Sequence, residues 1–189
     1  MEDVLRIKDL PAKAGDTVTL RAWVARTRSS GKIAFVVLRD GTGQLQCVAA
    51  KNEVSEETWE NLKSLTHESS VEVTGTVRED DRSPGGVELG LEAISKIGPS
   101  EDFPIAPKEH GTAFLFEHRH LWLRSRRQEA IMKIRNEVVQ SIRDFLYNEG
   151  FVLVDTPILT GSIGEEAGTL FETEYFDLGK AYLAQTGQL

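Results

Sequence analysis

The sequence predicts an α+β chain: a small five-stranded β-barrel at the N-terminus, then a linker, a long helix and the start of a second β-containing domain. Three observations carry this. Alternating or β-rich apolar runs mark five strands in the first hundred residues. One amphipathic helix interrupts them between the third and the fourth. A proline-bearing stretch without period then separates them from a helix with a continuous apolar stripe.

Residues 17–26 (TVTLRAWVAR) alternate, with Val18, Leu20, Ala22 and Val24 on one face and Thr17, Thr19, Arg21 and Trp23 on the other. That is the period of a half-buried strand. The run 33–40 (IAFVVLRD) is a second strand. It ends at Asp40-Gly41-Thr42-Gly43, where glycine permits a tight turn, and 45–50 (LQCVAA) returns as the third. Residues 55–65 change to helical spacing. Ser55 suits the N-cap, Glu56 and Glu57 suit the positive helix end, and Trp59, Leu62 and Leu65 share one side. Strands at 70–80 and 87–97 follow, joined by the turn Ser83-Pro84-Gly85-Gly86. Three strands, a helix and two strands is the order of an OB-fold barrel, with another small β-domain as the alternative.

Residues 98–112 hold three prolines and two glycines and read as a linker. Ile131, Ile134, Val138, Ile142 and Phe145 then recur at steps of three and four, which predicts a helix over about 126–148. Such a stripe suits the chain's own core as well as a second chain. Gly150 stands where a left-handed cap is needed. Residues 151–159 (FVLVDTPIL) read as a strand limited by Pro157, and 170–176 and 180–185 as two more.

The net charge is −8 over 189 residues, which argues against a nucleic-acid partner until its distribution is considered. Residues 1–50 carry +3, 51–102 carry −8, 103–149 carry +2 and 150–189 carry −5. The basic first segment suits a local anion-binding face, or merely a solvated surface. Cys47 is the only cysteine, so no intrachain disulfide forms and a cytoplasmic location is expected. No run approaches the ~18 apolar residues of a membrane span, and the N-terminus is no signal peptide, so no membrane partner is expected. His118 and His120 lack a cysteine or acidic cluster beside them, and no metal site is expected there.

Several phrases resemble one family. Trp23-Val24, Arg26, Arg28, Gly31-Lys32, Phe35, Leu38-Arg39-Asp40, Gly43 and Gln46 resemble the anticodon-binding barrel of aspartyl-, asparaginyl- and lysyl-tRNA synthetases, class IIb. HRHLWLR (118–124) and QTGQL (185–189) resemble the asparaginyl branch. The helix with GFVLVDTPIL resembles motif 1 of class II synthetases, and 162–171 resembles the loop before the amino-acid pocket. Two departures stand in that loop: Glu165-Glu166 where Glu-Gly is usual, and Thr169 where an acidic residue is common.

The resemblance implies ATP-dependent attachment of asparagine to its tRNA through an aminoacyl-adenylate. It divides the chain into an OB-fold anticodon-binding domain (1–98), a hinge (99–125) and the beginning of a class II antiparallel-sheet catalytic domain (126–189). It implies that Phe35 stacks on an anticodon base while Arg26, Arg28 and Gln46 contact bases or phosphates. The residues alone leave Phe35 open between core and surface, because both faces of 33–38 are apolar. By the same resemblance Glu165 pairs with the α-ammonium of asparagine, Gln188 adds an amide oxygen, Thr186 lines the pocket, and Pro157 belongs to a homodimer interface. The phrases of motifs 2 and 3, which supply arginines to ATP phosphates, are not found. ATP and Mg²⁺ are therefore expected on residues beyond Leu189, with no catalytic residue in this segment and no activity of the segment alone. The alternatives are an aspartyl-tRNA synthetase and a non-catalytic tRNA-binding module.

Overall fold

The computed structural model describes residues 5–106, 108–161 and 169–188. The chain forms two compact units, Met1–Phe114 and Leu115–Leu189. In the first, strands β1 (Thr17–Ser30), β2 (Ile33–Arg39), β3 (Gln44–Ala50), β4 (Ser70–Glu79) and β5 (Val87–Gly98) form a closed barrel in the order β1-β2-β3-β5-β4. β4 pairs with β1 to close it, and only β3 and β5 run parallel. Helix α1 (Glu56–Lys63) connects β3 to β4, so the expected OB-fold order is present.

Alternation fills the barrel. Leu20, Ala22 and Val24 of β1, Val36 and Leu38 of β2, and Leu45, Cys47 and Ala49 of β3 are buried with Val71, Val73 and Leu89. The Ser55 hydroxyl accepts the N–H of Thr58 (3.1 Å) and caps α1, whose Trp59 and Leu62 join the same core. The Asn61 amide donates to the carbonyl of Ile94 on β5 (3.1 Å) and fixes the helix against the barrel.

A 3₁₀ turn over Ile7–Lys13 is an element that periodicity does not announce, being too short and holding Pro11. It buries Ile7 and Leu10 in the barrel core. Asp40, at the end of β2, ties it down. One carboxylate oxygen accepts the N–H of Ile7 (2.9 Å), and the other accepts the N–H groups of Thr42 (2.7 Å) and Gly43 (3.0 Å) and the Thr42 hydroxyl (2.6 Å). Burial pushes the Asp40 pKa up, but these hydrogen bonds outweigh it and hold the carboxyl below its ordinary value.

The second unit holds α3 (Arg119–Trp122), α4 (Arg126–Asn148), β6 (Leu159–Thr160), β7 (Glu172–Glu174) and β8 (Lys180–Leu183). A short α2 (Thr112–Glu117) spans the boundary between the units. α4 ends as expected: Gly150 has φ 87°, its N–H donates to Tyr147 (3.0 Å), and that of Phe151 donates to Leu146 (3.0 Å). The strand expected over 151–159 is reduced to Leu159–Thr160. Residues 151–157 have strand-like composition but gain no ladder among the described residues; pairing starts where the Ile158 carbonyl accepts Ala184 N–H (2.9 Å). The expected strands at 170–176 and 180–185 are shorter too, and β6-β8-β7 form an antiparallel sheet. Ile134, Val138, Ile142 and Phe145 of the α4 stripe are exposed, so among the described residues nothing covers them.

Asp40→Asn keeps one acceptor but cannot accept from Ile7, so a loss of about 1–3 kcal/mol of barrel stability is expected at neutral pH. Because the folded pKa lies below the ordinary value, the carboxylate's contribution is complete above about pH 4 and is lost as pH falls through the folded pKa. Denaturant unfolding at neutral and acid pH checks this: the gap between wild type and variant should shrink at the acid end.

Candidate nucleic-acid interface

The outer face of the barrel is decided by the inner one. Ala34, Val36 and Leu38 are buried, so Phe35 and Val37 point outward on β2. The same logic turns Gln46 and Val48 outward on β3. On β1 a simple period would place Arg26 and Arg28 with Val18–Val24, on the inside. They are outside because the strand bulges. Val24 pairs with Leu38 and Arg26 with Val37, leaving Ala25 as the extra residue, and the phase changes there.

Two cross-strand rows result. Arg28, Phe35 and Val48 lie opposite one another on β1, β2 and β3. The Arg28 guanidinium carbon sits 4.5 Å from the centre of the half-buried Phe35 ring, a cation–π pair. Next to this row lie Arg26, Val37 and Gln46, continued by Glu88 on β5 and Arg78 on β4. The Gln46 amide donates to Glu88 (3.3 Å). The four barrel residues singled out in the sequence are thus together on one face. The residues that sequence reasoning missed are Arg78, Glu88 and Gly90. A methyl group at Gly90 would lie 2.5 Å from the Arg78 guanidinium carbon, so a glycine there leaves the guanidinium room to lie on the sheet. Arg78 was detectable in principle, since it follows Val77 in the alternation of β4; that Glu88 lies opposite it and Gly90 beneath its guanidinium follows only from the pairing of β4 with β5.

A third row lies beyond. Trp23 pairs with Arg39, whose guanidinium carbon is 5.9 Å from the Trp23 ring and which forms an ion pair with the buried Glu68 carboxylate. Cys47 faces the opposite way, into the core. Burial, with the nearby charge of Glu88, raises its pKa far above the ordinary thiol value.

In the second unit, the Gln188 N–H donates to the Thr186 hydroxyl (3.2 Å). A methyl group at Gly187 would lie 2.9 Å from Thr156 Cγ2, so the 186–188 turn packs against the segment that carries Pro157. Thr186 is half-buried, and Gln188 and Pro157 are exposed. Glu165 lies outside the described residues. A groove of about 430 Å³ on α4, lined by Leu123, Glu129, Met132, Lys133, Asn136 and Glu137, includes neither Thr186 nor Gln188. Among the described residues no group of three or more His, Cys, Asp or Glu could hold a metal, and no helix is long and apolar enough to cross a membrane.

Residues 18–97 match the family model of the OB-fold nucleic acid binding domain, and residues 112–189 match that of the class II tRNA synthetases (D, K and N). The asparagine–tRNA ligase of Chloroflexus aurantiacus is 56% identical over 93% of this chain and 40% of its own length; that of Symbiobacterium thermophilum is 52% identical over 95% and 41%. The chain thus joins an OB-fold nucleic acid binding domain to the start of a class II tRNA synthetase domain. It spans about two fifths of the length of these synthetase relatives. The crystal structure of asparaginyl-tRNA synthetase from Pyrococcus horikoshii complexed with asparaginyl-adenylate superposes with a TM-score of 0.88 at 38% identity, covering 100% of this chain and 44% of that one.

The inward register of β3 has a direct check. Cys47 should react with a thiol reagent in neutral buffer only when denaturant unfolds the barrel. Fast labelling of the folded chain would mean that the odd residues of β3 face out and Gln46 faces in.

Proposed function

We propose that this chain is the anticodon-binding and early catalytic portion of an enzyme that joins asparagine to its tRNA through an aminoacyl-adenylate. The observation that carries the RNA half is the Phe35 ring on the outer barrel face with the Arg28 guanidinium 4.5 Å from its centre. A single-stranded loop exposes bases that a duplex hides. Stacking on an aromatic ring contributes ~1–3 kcal/mol per base, and cations beside the ring hold the backbone. Phe35 stacks on one anticodon base, Gln46 and Arg26 contact a neighbour or its phosphate, and Arg28 and Arg78 add positive charge. Domain limits at 98 and 125 follow from this assignment.

For the amino-acid half, Glu165 pairs with the α-ammonium, since a carboxylate forms charge-assisted hydrogen bonds with it. Gln188 and Thr186 line the same pocket; the bond from the Gln188 backbone N–H to the Thr186 hydroxyl holds the two residues in one turn, which suits that role. The described residues offer no carboxylate cluster for Mg²⁺, and the sequence lacks the arginine phrases for ATP phosphates. We assign ATP and Mg²⁺ to the length of the relatives that this chain does not span, and expect no adenylate formation from residues 1–189 alone. The exposed α4 stripe and the Pro157 segment are assigned to a homodimer interface, and the location is assigned to the cytoplasm. Asparagine is preferred over aspartate because the relatives at 52–56% identity are asparagine–tRNA ligases.

In the complete enzyme, amino-acid-dependent pyrophosphate exchange should respond to asparagine and not to aspartate; the reverse would overturn the substrate assignment. Phe35→Ala should weaken tRNA binding about 5- to 150-fold while leaving that exchange intact. Equal loss of both steps would assign Phe35 to folding. Glu165→Ala should raise the KM for asparagine at least tenfold, and an unchanged KM would remove it from the pocket.

A further inference from the structure

We infer that Trp23 is a second base-stacking position, separate from Phe35 and reached by the same RNA strand. This rests on the RNA-binding reading of the barrel and extends it. Two arginine–aromatic pairs stand on the outer face of β1 and β2. In one, Arg28 comes from β1 and Phe35 from β2. In the other the strands exchange roles: Trp23 comes from β1 and Arg39 from β2. Trp23 keeps 39% of its surface exposed, although it is among the largest apolar side chains of the barrel. The exposed part of the indole offers a π-face to a partner with flat rings.

The spacing sets the stoichiometry. Phe35 and Arg39 are four residues apart on β2, so the two aromatic rows lie about 13 Å from each other. A stacked base occupies about 3.4 Å, so the rings cannot sandwich one base. Between them runs the row of Arg26, Val37 and Gln46. The face therefore fits an RNA strand with one base on Phe35, at least one nucleotide over the polar middle row and another base on Trp23. Arg39 serves the second position differently from Arg28. Its charge is matched by Glu68, whose N–H donates to the carbonyl of Val24 (2.8 Å), so it props the indole rather than meeting phosphate.

The test uses the chain and a hairpin RNA with the anticodon stem and loop of an asparagine tRNA, with 2-aminopurine replacing each loop base in turn. Stacking on a protein ring quenches that base. The wild-type chain should quench two loop positions that are not adjacent. Trp23→Ala should abolish quenching at one of them and weaken binding about tenfold. Trp23→Phe should restore both, and Phe35→Ala should abolish quenching at the other position only. Quenching at a single loop position by the wild-type chain would overturn the inference even if no variant folded. So would Trp23→Ala that binds as the wild type, or that weakens binding with both positions still quenched and no rescue by Trp23→Phe; the latter is the mark of a support for the Arg39–Glu68 pair. If Phe35→Ala also leaves binding and quenching untouched, the underlying RNA reading has failed, not merely the second position.

Discussion

The register of β2 between β1 and β3 is the constraint on which the proposed site depends. Side chains alternate along a strand, so sealing Ala34, Val36 and Leu38 inside the barrel commits Phe35 and Val37 to its surface. A slip of one residue would bury the ring and expose three core side chains. The bulge at Ala25 matters for the same reason: it lets Val24 remain in the core while Arg26 and Arg28 turn outward two and four residues later. Asp40 holds the end of β2 by accepting from the β2–β3 turn and the N-terminal 3₁₀ turn at once. Core packing, the turn and the aromatic–cation pair are thus consequences of one alignment.

That alignment also resolves the contradiction between an acidic chain and an anionic partner. The net charge of −8 is a sum over surfaces that do not act together. On the outer face of β1 to β5, Arg26, Arg28 and Arg78 stand against Glu88, while elsewhere Glu72 is matched by Arg21 and Glu68 by Arg39. Screening leaves distant carboxylates little influence beyond about 8–10 Å at ordinary ionic strength, so the local sign governs contact with RNA.

What the sequence made legible was whatever depends on neighbours along the chain. Ser55 caps α1 because a hydroxyl at that place meets the free N–H groups of the first turn. Gly150 ends α4 because the cap needs a positive φ. The five strands and their helix follow from period and turn chemistry. What stayed hidden depends on partners distant in sequence. The direction of Phe35 could not be read from 33–38, whose two faces are equally apolar; it is set by pairing with Arg28 and Val48. The outward turn of Arg26 and Arg28 needs a bulge that no local residue announces. The run 151–157 has strand composition, yet a strand is a pair, and among the described residues none forms a ladder with it. The short helices Thr112–Glu117 and Arg119–Trp122 are too brief for a helical period to emerge.

Photo-crosslinking of the same chain to an asparagine-tRNA loop carrying 5-bromouracil, with the linked residues identified by mass spectrometry, tests most directly whether RNA lies on the outer face of β1 and β2. Cross-links are expected on β1 and β2 among residues 23–39, at the outward positions and none at Ala34, Val36 or Leu38. Cross-links confined to Leu115–Leu189, or to the β1–β4 side around Thr19 and Thr74, would contradict that placement.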